Sequence, residues 1–250
     1  MSTVVGIVMK PFLQSQINNS IWKDLYIKQD FADILSDYDV TSIGIIPQGI
    51  SLDRANSDDI DLSNERDLTD KEKNHLISQI SLCDGLILQG GLSSHKYEVF
   101  IADYAIRNNI PILGICAGFN NIARAIGVQV KRDERLVGKH DIYSKCYSHS
   151  ILLESDASIL SQEELKDNTF FVNSIHSMVL FRDSVILNSN IKIEALAKDI
   201  LYEDKEVLTV EAFTITNTKF CLAVKWHPEL LPDDKLTRFI FSKFVEACNS

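Results

Sequence analysis

Through the first half of the chain, short apolar runs alternate with stretches whose apolar positions recur at helical spacing. Val4 to Met9, Val40 to Ile46, Gly85 to Gln89 and Ile110 to Ile115 suit strands buried on both faces. Between them, Ile21 to Leu35 places Ile21, Leu25, Phe31, Ile34 and Leu35 on one helical face. Thr69 to Leu82 opens with the capping-box pair Thr69 and Glu72, and Tyr97 to Asn108 and Phe119 to Ile126 also read as helices. This alternation predicts an α/β fold, a mainly parallel central sheet flanked by helices on both faces.

The second half changes period. From about Gly138 to Trp226 strand-like runs dominate: Ser150 to Leu153, Thr169 to Val172, Ile191 to Ala197, Val207 to Thr216 and Phe220 to Trp226. A last helix is expected from Pro232 to Cys248, with Leu236, Phe239, Ile240, Phe244 and Val245 on one face. No linker, internal repeat or low-complexity tract interrupts the pattern, so residues 1–250 read as one domain with a β-rich second half. Ser51 to Asp67 carries Asp53, Asp58, Asp59 and Asp61 at a spacing unlike a calcium loop, and reads as a solvated surface segment.

Composition narrows the function classes. A formal charge of −10 over 250 residues argues against nucleic acid, whose binders carry a basic face. No apolar stretch approaches the ~20 residues that span a bilayer, so no membrane partner is expected. The first residues lack the basic region and cleavage site of a secretory signal. Five cysteines (83, 116, 146, 221 and 248) form no CxxC pair and no metal-ligand cluster, which fits reduced thiols in a cytoplasmic protein.

Only Cys116 has a context that suggests reactivity. In Gly114-Ile115-Cys116-Ala117-Gly118 a small residue stands two places either side of the thiol, between a strand and a helix. That is the pattern of a nucleophile elbow, whose sharp turn lifts the side chain out at the strand end. The following helix aims its first N–H groups at the same spot. A base is available in Lys225-Trp226-His227-Pro228-Glu229, where Pro228 stops a strand beside His227 and Glu229 is placed to fix its tautomer. Oxyanion donors are offered by the Ala117 N–H and by Gly90-Gly91 at another strand end. Taken singly, each feature also fits a packed turn: a buried Cys, a loop His beside a proline, a Gly-Gly turn.

Together, Leu86-Ile87-Leu88-Gln89-Gly90-Gly91, Gly114 to Gly118 and Lys225 to Glu229 resemble the class I glutamine amidotransferase-like, flavodoxin-like fold. Within it they are most similar to the gamma-glutamyl hydrolase branch (peptidase C26-like), which includes gamma-glutamyl-gamma-aminobutyrate hydrolases. Tyr97-Glu98, His149-Ser150-Ile151 and Val172 to His176 resemble further segments of that branch. The resemblance implies a catalytic triad in which Cys116 attacks a gamma-glutamyl amide and forms a thioester. His227 would be the acid–base group, Glu229 its orienting partner, and Gly90 or Gly91 with Ala117 the oxyanion hole. Asn120 and His176 fall at substrate-contact positions, although His176 fits nearly as well as a structural histidine that caps a strand; Glu98 and His149 read better as groups that satisfy buried backbone.

The chain departs from the branch where substrate is chosen. Ala117 and Asn120 follow the Cys where relatives carry Arg and Gln or Glu. Ser94-His95 replaces Arg-Asp, and His176-Ser177-Met178 replaces His-His-Gln. The resemblance implies no cofactor and no metal, takes a small gamma-glutamyl molecule as the partner, and leaves homo-oligomerisation open. A glutaminase subunit feeding ammonia to a separate synthase, and a binding protein that has lost turnover, are the competing expectations.

Overall fold

Apolar runs with no polar alternation become strands sandwiched between layers, because each face must be covered. The computed structural model describes residues 2–11, 24–50, 62–134, 147–185, 188–202 and 205–250. In chain order the strands are β1 (Val4–Val8), β2 (Lys10–Pro11), β3 (Leu25–Tyr26), β4 (Thr41–Ile45), β5 (Gly85–Leu88), β6 (Ile112–Ile115) and β7 (Lys131–Arg132). They continue with β8 (His149–Leu153), β9 (Thr169–Val172), β10 (Met178–Val179), β11 (Ile191–Tyr202), β12 (Lys205–Ile215) and β13 (Cys221–Val224). The helices are α1 (Gln29–Ser36), α2 (Asp70–Ile80), α3 (Lys96–Arg107), α4 (Ala117–Ala125), α5 (Gln162–Leu165), α6 (Arg182–Val185) and α7 (Lys235–Asn249).

Nine strands form one sheet in the order β4-β1-β5-β6-β13-β12-β11-β8-β9. The pairings from β4 to β13 are parallel; those from β13 to β9 are antiparallel. β13 is therefore the seam, parallel to β6 on one side and antiparallel to β12 on the other. Successive residues of these strands serve opposite faces. Ile87, Leu113 and Leu222 join Phe31, Leu35, Phe241 and Phe244 of α1 and α7. Leu86, Leu88, Ile112 and Ala223 join Leu76, Ile101, Phe119 and Ile122 of α2, α3 and α4. Each such fully buried large side chain contributes roughly 1.5–3 kcal/mol relative to exposure.

The expected elements are found with three corrections. The first helix begins at Gln29, not Ile21: Leu25 and Tyr26 pair with Pro11 and Lys10 instead, and Lys28 remains extended at φ −70°, ψ 127°. The last helix begins at Lys235, not Pro232, because the Asp234 carboxylate caps it by accepting from the Leu236 N–H at 2.8 Å. β11 continues to Tyr202 because β12 supplies an antiparallel partner along its whole length. The capping box of α2 is formed as read, with Thr69 Oγ1 accepting from the Glu72 N–H and the Glu72 carboxylate from the Thr69 N–H. Asp53, Asp58, Asp59, Asp61, Gly138, Cys146 and Ile21 lie outside the described residues.

Candidate active site

Three adjacent parallel strands set the site. β5, β6 and β13 run side by side with Leu88 opposite Gly114 and Ile115 opposite Val224, so the residues leaving their carboxyl ends share one crevice. Gly90 leaves β5, Cys116 leaves β6 and His227 leaves β13. The structure thus brings together residues separated by up to 137 positions (227 − 90).

The turn at Cys116 is strained. Its φ of 54° and ψ of −100° lie where residues with a Cβ are disfavoured. It is held by the Cys116 N–H donating to Val224 O at 2.9 Å and by the Asn120 N–H returning to Cys116 O at 3.2 Å. The flanking glycines are small for steric reasons. A Cβ on Gly118 would lie 2.0 Å from Leu88 O, and one on Gly114 would lie 2.5 Å from Ile122 Cδ1. The strand and helix can therefore meet at the required angle only if both positions are bare. Ala117 is the first residue of α4, where a helical N–H has no intrahelical acceptor.

Across the crevice, the Glu229 Oε1 and His227 Nδ1 atoms are 2.7 Å apart. With Nδ1 so engaged, Nε2 is the nitrogen left for the thiol, and the charges of the two groups act on one another. Pro228–Leu230 forms one 3-10 turn, and that turn folds Glu229 back onto the ring two residues before it. His227 and Glu229 are nearly inaccessible, and Cys116 is only 6% exposed. Gly90 faces this pair: a Cβ there would stand 2.5 Å from His227 Cε1 and 3.1 Å from Cys116 Cβ. Gly91 packs the other way, against Lys10 Cδ and the Tyr26 hydroxyl.

Charge in the crevice is arranged around the thiol. Burial pushes Cys116 up, but the His227 charge and hydrogen bond, with Lys225 and Lys28, outweigh it and bring the thiol down to about 7. Burial opposes the imidazolium as well, yet Glu229 and the thiolate raise His227 to about 9. Glu229 is held at about 2, burial being overcome by His227 and Lys28. Both shifts favour a thiolate–imidazolium pair over the neutral thiol and imidazole.

Around this centre the structure places the other candidate residues. The Asn120 side chain is buried in the first turns of α4, where its Oδ1 accepts from Lys225 Nζ at 2.6 Å; that ammonium also lies 5.1 Å from the Phe119 ring centroid. His176 follows Ile175, whose carbonyl oxygen is 3.8 Å from Cys116 Sγ. The His176 Nδ1 atom lies 3.1 Å from Met178 O, and its Nε2 faces the buried Glu211 carboxylate at 3.8 Å. His149 faces the same Glu211 at 3.5 Å. The Glu98 carboxylate accepts from the His95 N–H at 3.0 Å and pairs with buried Lys10 at 2.6 Å, tying α3 to β2.

Four residues gather here that sequence reasoning left without a role. Asn173 and Lys225 sit inside quoted motifs, but nothing in their local pattern says what they touch. Glu211 lies mid-strand in β12 and meets its histidines only across the sheet. Lys28 was hidden inside a presumed helix; the available signal was a Lys in the capping position, where Ser, Thr, Asp or Asn is favoured. Among the described residues no group of His, Cys, Asp and Glu is arranged to hold a metal ion, and no helix is long and apolar enough to cross a membrane.

A family model described as peptidase C26 matches residues 68–229, a span that holds Gly90, Cys116, His227 and Glu229. A gamma-glutamyl-gamma-aminobutyrate hydrolase of Escherichia coli K12 is 28% identical over 159 residues, which is 59% of this chain and 58% of that protein. The match thus spans less than two thirds of the relative's length. Among solved structures, the glutaminase domain of Trypanosoma brucei CTPS with bound acivicin superposes with a TM-score of 0.62 at 17% identity, covering 99% of this chain and 94% of that one. A glutamine amidotransferase from Thermotoga maritima gives a TM-score of 0.58 at 15% identity, covering the whole of both chains. These two likenesses establish the fold.

Proposed function

The chain belongs to the peptidase C26 family, and from that premise we propose that it is a hydrolase of gamma-glutamyl amides of small molecules, working through a thioester on Cys116. The observation that carries the reading is the convergence of a strained, thiolate-biased Cys116 with an imidazole whose far nitrogen is already held by Glu229.

In this reading the Cys116 thiolate adds to the gamma-carbonyl carbon. The carbonyl oxygen becomes an oxyanion that accepts from the Ala117 N–H and from the backbone N–H of Gly90 or Gly91. The His227 imidazolium gives its Nε2 proton to the amide nitrogen, the C–N bond breaks, and the amine leaves with the glutamyl group as a thioester. His227, now neutral, takes a proton from water as the oxygen attacks. Collapse expels the thiolate, releases the gamma-carboxyl and returns the imidazolium. Glu229 keeps the ring in one tautomer through both steps. Every proton moved is carried by His227 or water. Asn120 and His176 are assigned to the wall that receives the glutamyl end, and residues 1–250 to a single hydrolase domain in the cytoplasm.

Glutamate release from glutamine, gamma-glutamyl-gamma-aminobutyrate, gamma-glutamyl polyamines and a poly-gamma-glutamyl folate, with wild type and Cys116→Ala in parallel, tests the reading. Release from one amide that disappears in Cys116→Ala supports it and names the leaving amine. Release that survives in Cys116→Ala, or none from any of the four, overturns it. Slow release from glutamine alone would transfer the site to a glutaminase that serves a synthase.

A further inference from the structure

Lys28 is the cation nearest Glu229 besides His227 among the contacts that hold this carboxylate. Its Nζ lies 3.0 Å from Glu229 Oε1, the oxygen that also meets His227 Nδ1, and 3.5 Å from Nδ1 itself. One carboxylate oxygen is thus divided between an imidazole and an ammonium. We propose that Lys28 is a positioning residue that tunes the Cys116–His227 pair through Glu229, drawing the carboxylate's charge partly away from the imidazolium.

Three observations carry this. First, Lys28 is built into place: its N–H donates to Gln89 Oε1 at 3.1 Å, while Gln89 Nε2 donates to Val8 O and Tyr26 O at 2.8 and 3.0 Å. Gln89 is fully buried and directly precedes Gly90, so the strand end that supplies the bare glycine also fixes the lysine. Second, the helix does not ask for it. Lys28 is the N-cap of α1 and makes no side-chain cap. A cation there is opposed by the helix dipole, by typically 0.3–1 kcal/mol, and gives up the cap a Ser or Asp would make. Third, the ammonium stays charged although most of it is withdrawn from water: burial lowers its affinity for the proton, but Glu229 and Cys116 raise it above the usual lysine range.

Among the described residues, few groups face the pair. Lys28 approaches from the segment before α1, with Tyr26 beside it. Lys225 approaches from the end of β13, and the Ile175 carbonyl from the loop that leads to His176 and its partner Glu211. Among the described residues that face the pair, Lys28 is the one that touches Glu229. Its positive charge favours the thiolate and at the same time weakens the hold of Glu229 on the imidazolium proton, which must reach the leaving amine. Loss of the charge therefore moves both ionisations to higher pH. A side chain that merely filled space would change the amplitude of activity and leave both in place.

The inference rests on the reading of Cys116 and His227 as the reacting pair. Its test is the pH dependence of Cys116 alkylation by iodoacetamide, and of kcat/KM on the amide that the panel identifies, in wild type, Lys28→Met and Lys28→Arg. Lys28→Met should shift both limbs of the kcat/KM profile to the alkaline side. It should also slow alkylation on the acid limb by roughly three- to tenfold, as expected for removal of one nearby charge. kcat should fall with KM little changed, and Lys28→Arg should restore the wild-type limbs. Limbs that do not move in Lys28→Met overturn the proposal, as does a rise in KM at constant kcat, which would make Lys28 a substrate contact. Lys28→Gln, read in the same way, replaces Lys28→Met if the methionine variant does not fold. Turnover that survives Cys116→Ala sinks the reading of the site itself; Cys116-dependent turnover with unmoved limbs sinks only the role of Lys28.

Discussion

Asn173 holds His227 by both polar atoms of its backbone: Asn173 Oδ1 accepts from the His227 N–H at 2.8 Å, and Asn173 Nδ2 donates to His227 O at 2.9 Å. The contact joins the turn after β9 to the turn after β13, across the antiparallel half of the sheet. Trp226 to Pro228 would otherwise be a short loop free to swing the imidazole away from Cys116. Asn is suited to this because one planar amide offers a donor and an acceptor side by side.

Asn173→Asp keeps the shape and removes the donor, leaving an anionic oxygen against the His227 carbonyl. The expected cost is about 1–3 kcal/mol of stability for the unsatisfied buried acceptor, with kcat reduced by at least about tenfold as the proposed base loses its position. Thermal melts and steady-state kinetics check both. Unchanged kcat in a folded variant would show that the loop holds its shape without the clamp.

The proposed reacting pair, Cys116 and His227, implies an acid and a base limb of activity. If Cys116 is the nucleophile, as proposed, attack should be lost as the thiol protonates below about 7. If His227 is the proposed acid, it should lose the proton meant for the leaving amine above about 9. kcat/KM should therefore be bell-shaped with its plateau between these values. Burial pushes the other described thiols the opposite way, Cys83 to about 11 and Cys221 and Cys248 to about 12. At pH 7.5 one equivalent of iodoacetamide should label Cys116 ahead of these three by mass spectrometry. Equal labelling of Cys83 would contradict a pre-ionised Cys116.

Two glycines near the thiol should fail in different ways. Gly118→Ala forces a Cβ to 2.0 Å from Leu88 O, a backbone atom that cannot yield without separating α4 from β5. Its expected loss is about 3 kcal/mol or more, seen as a lower Tm or as insoluble protein. Gly90→Ala instead presses on the His227 ring and Cys116 Cβ, which are side-chain atoms and not backbone. It should fold with near wild-type Tm and lose about a hundredfold or more in kcat if these two are the reacting pair, since small displacements of such a pair are costly. A Gly118→Ala protein with normal Tm would show that the elbow is less tightly packed than its geometry requires.

How far the sequence could be read depended on the range of the interaction. β5, α2, α3, β6 and β9 were legible to within two residues, because their signals lie inside the element: an apolar run, a capping box, a strand bounded by turn residues. Gly90, Cys116, His227 and Glu229 were picked out because each sits in a short motif, although only the parallel register of β5, β6 and β13 shows that they meet. Lys28, Asn173 and Glu211 could not be assigned in this way. Each meets a partner 54 to 201 residues distant in the chain, and no local period encodes such a contact. The misplaced start of α1 has the same origin. Leu25 fits a helical face and equally fits a strand, and the decision was made by Lys10 and Pro11, which pair with Tyr26 and Leu25.

The buried carboxylate of Glu194 allows the antiparallel half to be tested separately from the chemistry. Standing on β11 and fully buried, it accepts from the Ser158 N–H at 3.1 Å and Ser158 Oγ at 2.6 Å through Oε1. Through Oε2 it accepts from the Ile159 and Leu160 N–H groups at 3.0 and 2.8 Å. Those three consecutive residues have no strand partner to satisfy them, so the carboxylate takes the place of a ladder and seats Leu160 in the core. Glu194→Gln is nearly the same size but turns one acceptor into a donor, which then opposes N–H groups that also donate. The expected loss is about 2–4 kcal/mol, a Tm lower by roughly 5–12 °C for a chain of this length. kcat per folded molecule should be unaltered, because Glu194 touches none of the crevice residues. If the Tm does not fall, the 158–160 turn keeps its conformation without the anion, and the β-rich half owes its closure to apolar packing alone.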